Sequence, residues 1–191
     1  GDNFGSSYFQ VTQKNGLRCS AARAFLKPAL KRPNLKLETG AVVEKIEIEN
    51  GRAVAVLYRK DGALRRARAS AEIVLAAGAV KSPQILELSG VGRGEVLQRL
   101  GVPVLQELPG VGENLQDHLQ LRPMFKVSGV KTLNVMYQSL FQRALMGMDF
   151  VFRRRGPMTM PPSQVGMFAY SSPDYATPNI EFHVQPLSLD R

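Results

Sequence analysis

"LAAGAVKSPQILELSGVG", Leu75 to Gly92, is the stretch on which the reading of the whole chain turns. With the residues before it, the chain reads "EIVLAAGA" from Glu72 to Ala79, a continuous apolar run. A strand covered on both faces in a parallel sheet has that pattern, so a buried strand is expected over 72–78. The residues after it predict a helix, with Ser82 as N-cap, Pro83 in the first turn and Gly90 at a left-handed end. A parallel strand ending in Ala77 and Gly78 removes bulk at its carboxyl edge, where ligands of open α/β sheets sit. The helix start at Ser82 adds backbone N–H groups nearby. On physics alone, the other reading weighs about the same: Gly78 only turns the chain into the helix.

Upstream the pattern is different. Leu35, Leu37 and Thr39, then Val42, Ile46 and Ile48, alternate with polar residues. Asn50-Gly51 is a strong two-residue hairpin signal, because both turn positions need positive φ. Val54, Val56 and Tyr58 form the returning strand, and Asp61-Gly62 turns into a third strand near Leu64–Ala69. The prediction is an antiparallel meander over about 41–70 with one polar face. The opening twenty residues, rich in Gly, Ser and Asn, read as loop. A short helix comes next, from Ser20, with Pro28 kinking or ending it.

Downstream, a short helix from about Glu95 to Leu100 stops at Gly101, followed by a short strand and a turn-rich loop. From Asn134 to Arg154 the apolar residues fall on one helical stripe, with Arg153 to Arg155 at its end and Gly156-Pro157 as the stop. Strands are expected near Gln164–Tyr170 and Ile180–Val184.

Composition narrows the function classes. The 191 residues are 44% hydrophobic and 21% charged, ordinary for a globular chain. No run is long enough to cross a membrane as a helix, and no signal peptide is visible. The chain begins with Gly1, as expected of a processed chain or one cut from something longer. Cys19 is the single cysteine, which excludes an intrachain disulfide and a thiolate metal cluster and fits a reducing, cytoplasmic compartment. With only His118 and His183 there is no three-histidine zinc site, and no metal is expected.

The formal charge is +9. Lys27, Lys31, Arg32 and Lys36 lie near one helix, and Arg59, Lys60, Arg65, Arg66 and Arg68 along one hairpin. Nucleic acid is disfavoured, because no aromatics interleave with these cations for base stacking. Ser6, Ser7, Ser82 and Ser89 lack a Gly-x-Ser-x-Gly context. Asp117 and His118 are adjacent, which rarely makes a working dyad. Glu44, Glu47 and Glu49 are expected to be solvated on the polar strand faces. The methionines Met136, Met146, Met148, Met158, Met160 and Met167 read as adaptable core.

"GAVKSPQILELSGVG", Gly78 to Gly92, resembles the second signature of the glucose–methanol–choline (GMC) oxidoreductases. Gly78, Ala79, Ser82, Pro83, Ile85-Leu86 and Ser89-Gly90-Val91-Gly92 stand at that pattern's spacing. "NGLRCSAARAFL", "RPNLKLETGAVVEKI", "LPGVGENLQDHL" and "PNIEFHVQP" agree with it, so the resemblance covers nearly the whole chain. It is strongest toward choline-dehydrogenase-like enzymes.

The resemblance implies a mixed α/β and α+β fold: part of an FAD-binding α/β domain with an antiparallel meander, and part of an antiparallel-sheet substrate domain. It implies a loop and helix near the cofactor lid over 1–30, the centre of the FAD domain over 31–117, and substrate domain over 118–191. It also implies FAD, a small alcohol donor, and hydride transfer giving aldehyde or ketone. Val43 would present backbone groups to the adenine, and Ala77 and Gly78 would lie beside the cofactor.

The family's Gly-x-Gly-x-x-Gly phosphate loop is not found. Gly90, Gly92 and Gly94 come after a helix and lack its spacing. The family's catalytic histidine belongs to a later segment, so no catalytic residue is expected here, and the chain alone is expected to be inactive and to need the rest of its parent polypeptide. His118 reads as a loop residue and His183 as a core or cleft-lining one. The alternative is a non-catalytic binding module on the same fold. Membrane association and a homo-oligomer stay open.

Overall fold

A computed structural model describes residues 3–188; residues 1, 2 and 189–191, the extreme ends of the expected opening loop and of the last segment, lie outside the described residues. In chain order come β1 (Gly5–Tyr8), β2 (Gln13–Lys14), β3 (Leu17–Arg18), a π-helical turn (Ala22–Leu26) and α1 (Lys27–Ala29). Next are β4 (Val42–Glu49), β5 (Arg52–Lys60), β6 (Ala63–Arg68), α2 (Gly78–Leu88), β7 (Val91–Gly92), α3 (Gly94–Arg99) and β8 (Gln106–Glu107). The last elements are α4 (Leu133–Gln138), α5 (Leu140–Arg153), a 3-10 turn (Pro157–Thr159), β9 (Val165–Ala169) and β10 (Ile180–Val184). The chain forms two units, residues 36–121 and the combination of 1–35 with 122–191.

In the unit of 36–121, β4, β5 and β6 make a three-stranded antiparallel sheet in that order. Its turns are the ones the dipeptides require: Asn50 and Gly51 have φ of 51° and 75°, and Asp61 and Gly62 have 52° and 76°. The alternation at Leu35, Leu37 and Thr39, ahead of the expected meander, forms no strand. Glu38 instead ties that stretch to the end of β5 through Lys60, at 2.5 Å. Arg66 on β6 reaches over the middle strand to Glu47 on β4, at 2.5 Å, and Arg59 meets Glu44 at 2.8 Å. Glu44, Glu47 and Glu49 are therefore ion-paired rather than merely solvated.

The other face of the meander meets α2. The Ile46 N–H donates to Ser89 Oγ at 2.8 Å, and that hydroxyl donates onward to the Ile85 carbonyl. Among the described residues, Ile46, Ala55, Ile85, Val91 and Leu97 are the buried hydrophobic residues, and Leu97 is 1% exposed. Gly90 has φ +86°, and a Cβ there would lie 2.5 Å from the Pro103 carbonyl, so only glycine allows β7 to come this closely after α2. Val91 and Gly92 pair in parallel with Gln106 and Glu107, and Gly101, at φ +72°, ends α3.

The strand expected over 72–78 is absent. Residues 72–76 carry no regular structure, Ala77 bends, and Gly78 already belongs to α2. The reason is pairing. Arg52 ties down the Ser70 and Ala71 carbonyls, but none of the described strands pairs with the next residues. A parallel strand without a neighbour leaves its peptide groups to solvent and gains nothing by being extended.

In the other unit, β1, β9 and β10 form an antiparallel sheet with β9 in the middle. The opening stretch is thus not all loop. Asn15-Gly16, with φ of 51° and 69°, turns β2 into β3. Ser20 makes no side-chain cap; its carbonyl accepts from Arg23 and Ala24. The helix predicted over 134–154 is two helices. Ser139 is extended (φ −91°, ψ 118°) and its Oγ accepts the Gln142 N–H, ending α4 and starting α5. Arg154 in the left-handed region and Gly156 close α5.

The exposed area is 15738 Å². Two compact units of the same total mass would expose about 11,000 Å². Much apolar surface is therefore uncovered within each unit.

Candidate functional site

The three positions singled out by the sequence lie in the unit of 36–121, on two elements. Val43 is the second residue of β4, opposite Tyr58, just before a register shift between Val43 and Lys45. Such a bulge frees one residue's backbone from the ladder, here that of Glu44, while Val43 itself stays paired. Ala77 is the N-cap of α2 and Gly78 its first residue. Ser89 clamps the other end of α2 to Ile46, three residues after Val43. Eleven residues of helix, about 16 Å, separate that clamp from Gly78, so the three positions belong to one body without forming one cluster.

The start of α2 explains its sequence. Gly78 has φ +87°, a conformation that strains any residue with a Cβ, and a Cβ there would meet nothing within 4 Å. The turn is therefore real, and so is the open space beside it. Ser82 is not the N-cap. It sits inside the helix, and its Oγ accepts the Ala77 N–H at 3.1 Å, reaching back to the bend from one turn on. Pro83, also inside, costs only one early helical bond. The N–H groups of Gly78 and the residues after it lie at the positive end of the helix dipole, and Lys81, held by Gln84 at 2.8 Å, adds a cation close by. Backbone donors, small side chains and open space suit an anionic, flat ligand.

The glycines after α2 do other work. The Gly94 N–H donates to Glu107 Oε2 at 2.8 Å, so a carboxylate of the chain itself occupies the start of α3. Arg93 pairs with Glu113 at 3.0 Å. Ser89, counted in the signature, is 5% exposed and structural. Its signal was available: a hydroxyl at the end of a helix next to a strand offers a partner to an otherwise orphaned N–H.

The histidines part company. Asp117 Oδ1 accepts the backbone N–H of His118, not its ring, and both residues are exposed. His183, on β10, is not a core residue. Its side chain is 51% exposed, its Nε2 lies 2.9 Å from Glu181 and its ring stacks on Phe9 at 4.9 Å. Among the described residues no group of three or more His, Cys, Asp or Glu could hold a metal ion, and no helix is long and apolar enough to cross a membrane.

A family model described as GMC oxidoreductase matches residues 1–120. The chain belongs to the GMC oxidoreductase family. Human mitochondrial choline dehydrogenase is 40% identical over 182 residues, 95% of this chain and 30% of that protein. An alcohol dehydrogenase [acceptor] of Pseudomonas putida is 39% identical over 188 residues, 97% of this chain and 34% of that protein. Among solved structures, an FAD-dependent oxidoreductase from Chaetomium thermophilum superposes with a TM-score of 0.74 at 29% identity, covering 81% of this chain and 28% of that one. A fungal aryl-alcohol oxidase gives 0.76 at 27% identity, covering 88% and 30%. The GMC chain thus spans about a third of the length of the relatives it matches. Its fold class is theirs: mixed helices and antiparallel sheets, part of the oxidoreductase fold.

Proposed function

We propose that this chain is part of an FAD-dependent enzyme that oxidises an alcohol at its CH–OH carbon to an aldehyde or ketone. The observation that carries the reading is the open left-handed turn at Gly78, at the head of α2 and inside the stretch matched by the family. Bound FAD supplies the hydride acceptor. The chain's own share is binding. Val43, on the edge strand β4 beside the bulge at Glu44, presents backbone groups to the edge of the adenine. Ala77 and Gly78 let the cofactor approach the backbone, and the first-turn N–H groups of α2 favour its negative charge. Neither His118 nor His183 lies on β4 or at the head of α2, and in this reading the group that takes the hydroxyl proton lies on polypeptide outside this chain. The small alcohol and the remainder of the parent polypeptide are its partners, and the reducing compartment suited to the free Cys19 is the cytoplasm.

The test is flavin retention after removal of free ligand, read by visible absorbance. The chain is expected to retain FAD, and Ala77→Leu to weaken retention about tenfold or more by filling the approach, about 1.4 kcal/mol, with circular dichroism unchanged. No alcohol should turn over. Equal retention by Ala77→Leu, no retention by the folded chain, or turnover by the chain alone would each overturn these roles.

A further inference from the structure

Two serines share one face of α2 and do different things. Successive helical residues turn by about 100°, so Ser82 and Ser89 stand only about 20° apart around the axis. Ser89 behaves as a helical serine does. Its hydroxyl donates to the carbonyl four residues back, that of Ile85, and accepts the Ile46 N–H. Ser82 makes no such back-bond. Its Oγ accepts the Ala77 N–H, five residues back, at 3.1 Å, and its own hydrogen meets no acceptor among the described residues.

That bond spans the bend. Ala77 has φ −87° and ψ 8°, and Gly78 follows at φ +87°. Glycine permits this shape but does not hold it, because without a Cβ it visits other conformations about as readily. Packing does not hold it either, since a Cβ at Gly78 would meet nothing within 4 Å, and residues 72–76 ahead of the bend carry no regular structure. Ser82 therefore ties the bend to the helix. Stability does not explain a serine here. Serine is a poorer helix former than alanine, and the bond it makes is exposed, so the two contributions roughly cancel.

We propose that Ser82 is a positioning residue for the cofactor: by holding the Ala77 N–H it keeps the bend in the shape that lets FAD approach the backbone at Gly78. This rests on the reading of Gly78 as that approach. A bend without the tie samples other shapes, and the cofactor then has to order it on binding. The test compares the chain with Ser82→Ala, which lacks the acceptor, and Ser82→Thr, which keeps it. FAD is titrated in, free ligand is removed by ultrafiltration, and retention is read by visible absorbance. Retention should fall about threefold to tenfold in Ser82→Ala, the worth of one hydrogen bond, and return in Ser82→Thr. Thermal unfolding midpoints should agree among the three. Amide exchange should quicken at Ala77 in Ser82→Ala alone, while the Ile46 N–H stays protected. Equal retention by Ser82→Ala would overturn the role and leave the cofactor reading standing; no retention by any of the three would overturn both. A loss matched by a lower unfolding midpoint, a loss that threonine does not repair, or an Ala77 exchange rate that does not respond would each overturn it, assigning Ser82 to the fold alone.

Discussion

The two units of this chain solve the problem of stability differently. The unit of 36–121 holds all five hydrophobic residues that are buried among the described residues, and it is electrically neutral. Its cations are paired locally, Arg59 with Glu44, Arg66 with Glu47 and Lys60 with Glu38. The unit of 1–35 with 122–191 carries the whole net charge, and among its described residues only Gly166 is fully buried. One unit is organised around a small core, the other around a sheet and helices whose apolar faces look outward. The buried core and the net charge are thus divided between the two.

That division can be broken most forcefully at Leu97. Leu97→Ala empties a site that is 1% exposed, and should cost about 2–5 kcal/mol. Met146→Ala, at a half-buried site of the other unit, should cost clearly less. Denaturant unfolding of both variants checks the contrast, and equal losses would mean that the core is not confined to 36–121.

A smaller effect is expected at Ser89. Ser89→Ala leaves the Ile46 N–H buried without its acceptor, a loss of about 1–3 kcal/mol. Amide exchange sharpens the reading: protection should fall at Ile46 and along α2 and stay unchanged in β9. Loss spread over both units would show them to be one cooperative body.

The smallest effect concerns pH. Hydrogen bonds from Lys60 first, and then Lys36, lower the Glu38 carboxyl from 4.5 to about 2. Its folded form therefore binds a proton less readily than its unfolded form. The stabilisation is complete above about pH 4.5, fades as pH falls, and is gone below about pH 2. The Lys36 ammonium is raised in turn by Glu38, so its share is lost as pH rises beyond 10.5. Lys36 is exposed while Glu38 and Lys60 are half-buried, so salt should shrink the effect only in part. Wild type and Glu38→Gln, unfolded at neutral pH and near pH 3, should differ less at the acid end. A gap that widens on acidification would assign Glu38 the opposite role.

Local rules make much of the fold readable. Asn50-Gly51 and Asp61-Gly62 specify turns whose positive φ values suit few other residues, so the meander arises from its own sequence. The same signal at Asn15-Gly16 is masked, because the polar stretch around it resembles loop; the hairpin there is only two residues a side. Gly90 and Gly101 stop their helices where expected. The break at Ser139 is hidden by an apolar stripe that continues across it, since periodicity reports the face and not the continuity of a helix.

At the candidate site, sequence alone established a glycine turn, a helix after it and the family to which the signature belongs. It also put nearly every buried hydrophobic residue on a predicted strand or helix. Three things were decided only in three dimensions. Residues 72–76 are not a strand, because strand formation depends on a neighbour and none of the described strands supplies one. Ser89 is a clamp between β4 and α2, because only folding brings Ile46 within 2.8 Å of it. β1 pairs with β9, Gly5 opposite Phe168, across most of the chain length. Turns and caps are closed by neighbours in sequence, and their rules are written there. Pairing, burial and the direction a helix face looks depend on groups far along the chain, and only the tertiary structure assigns them.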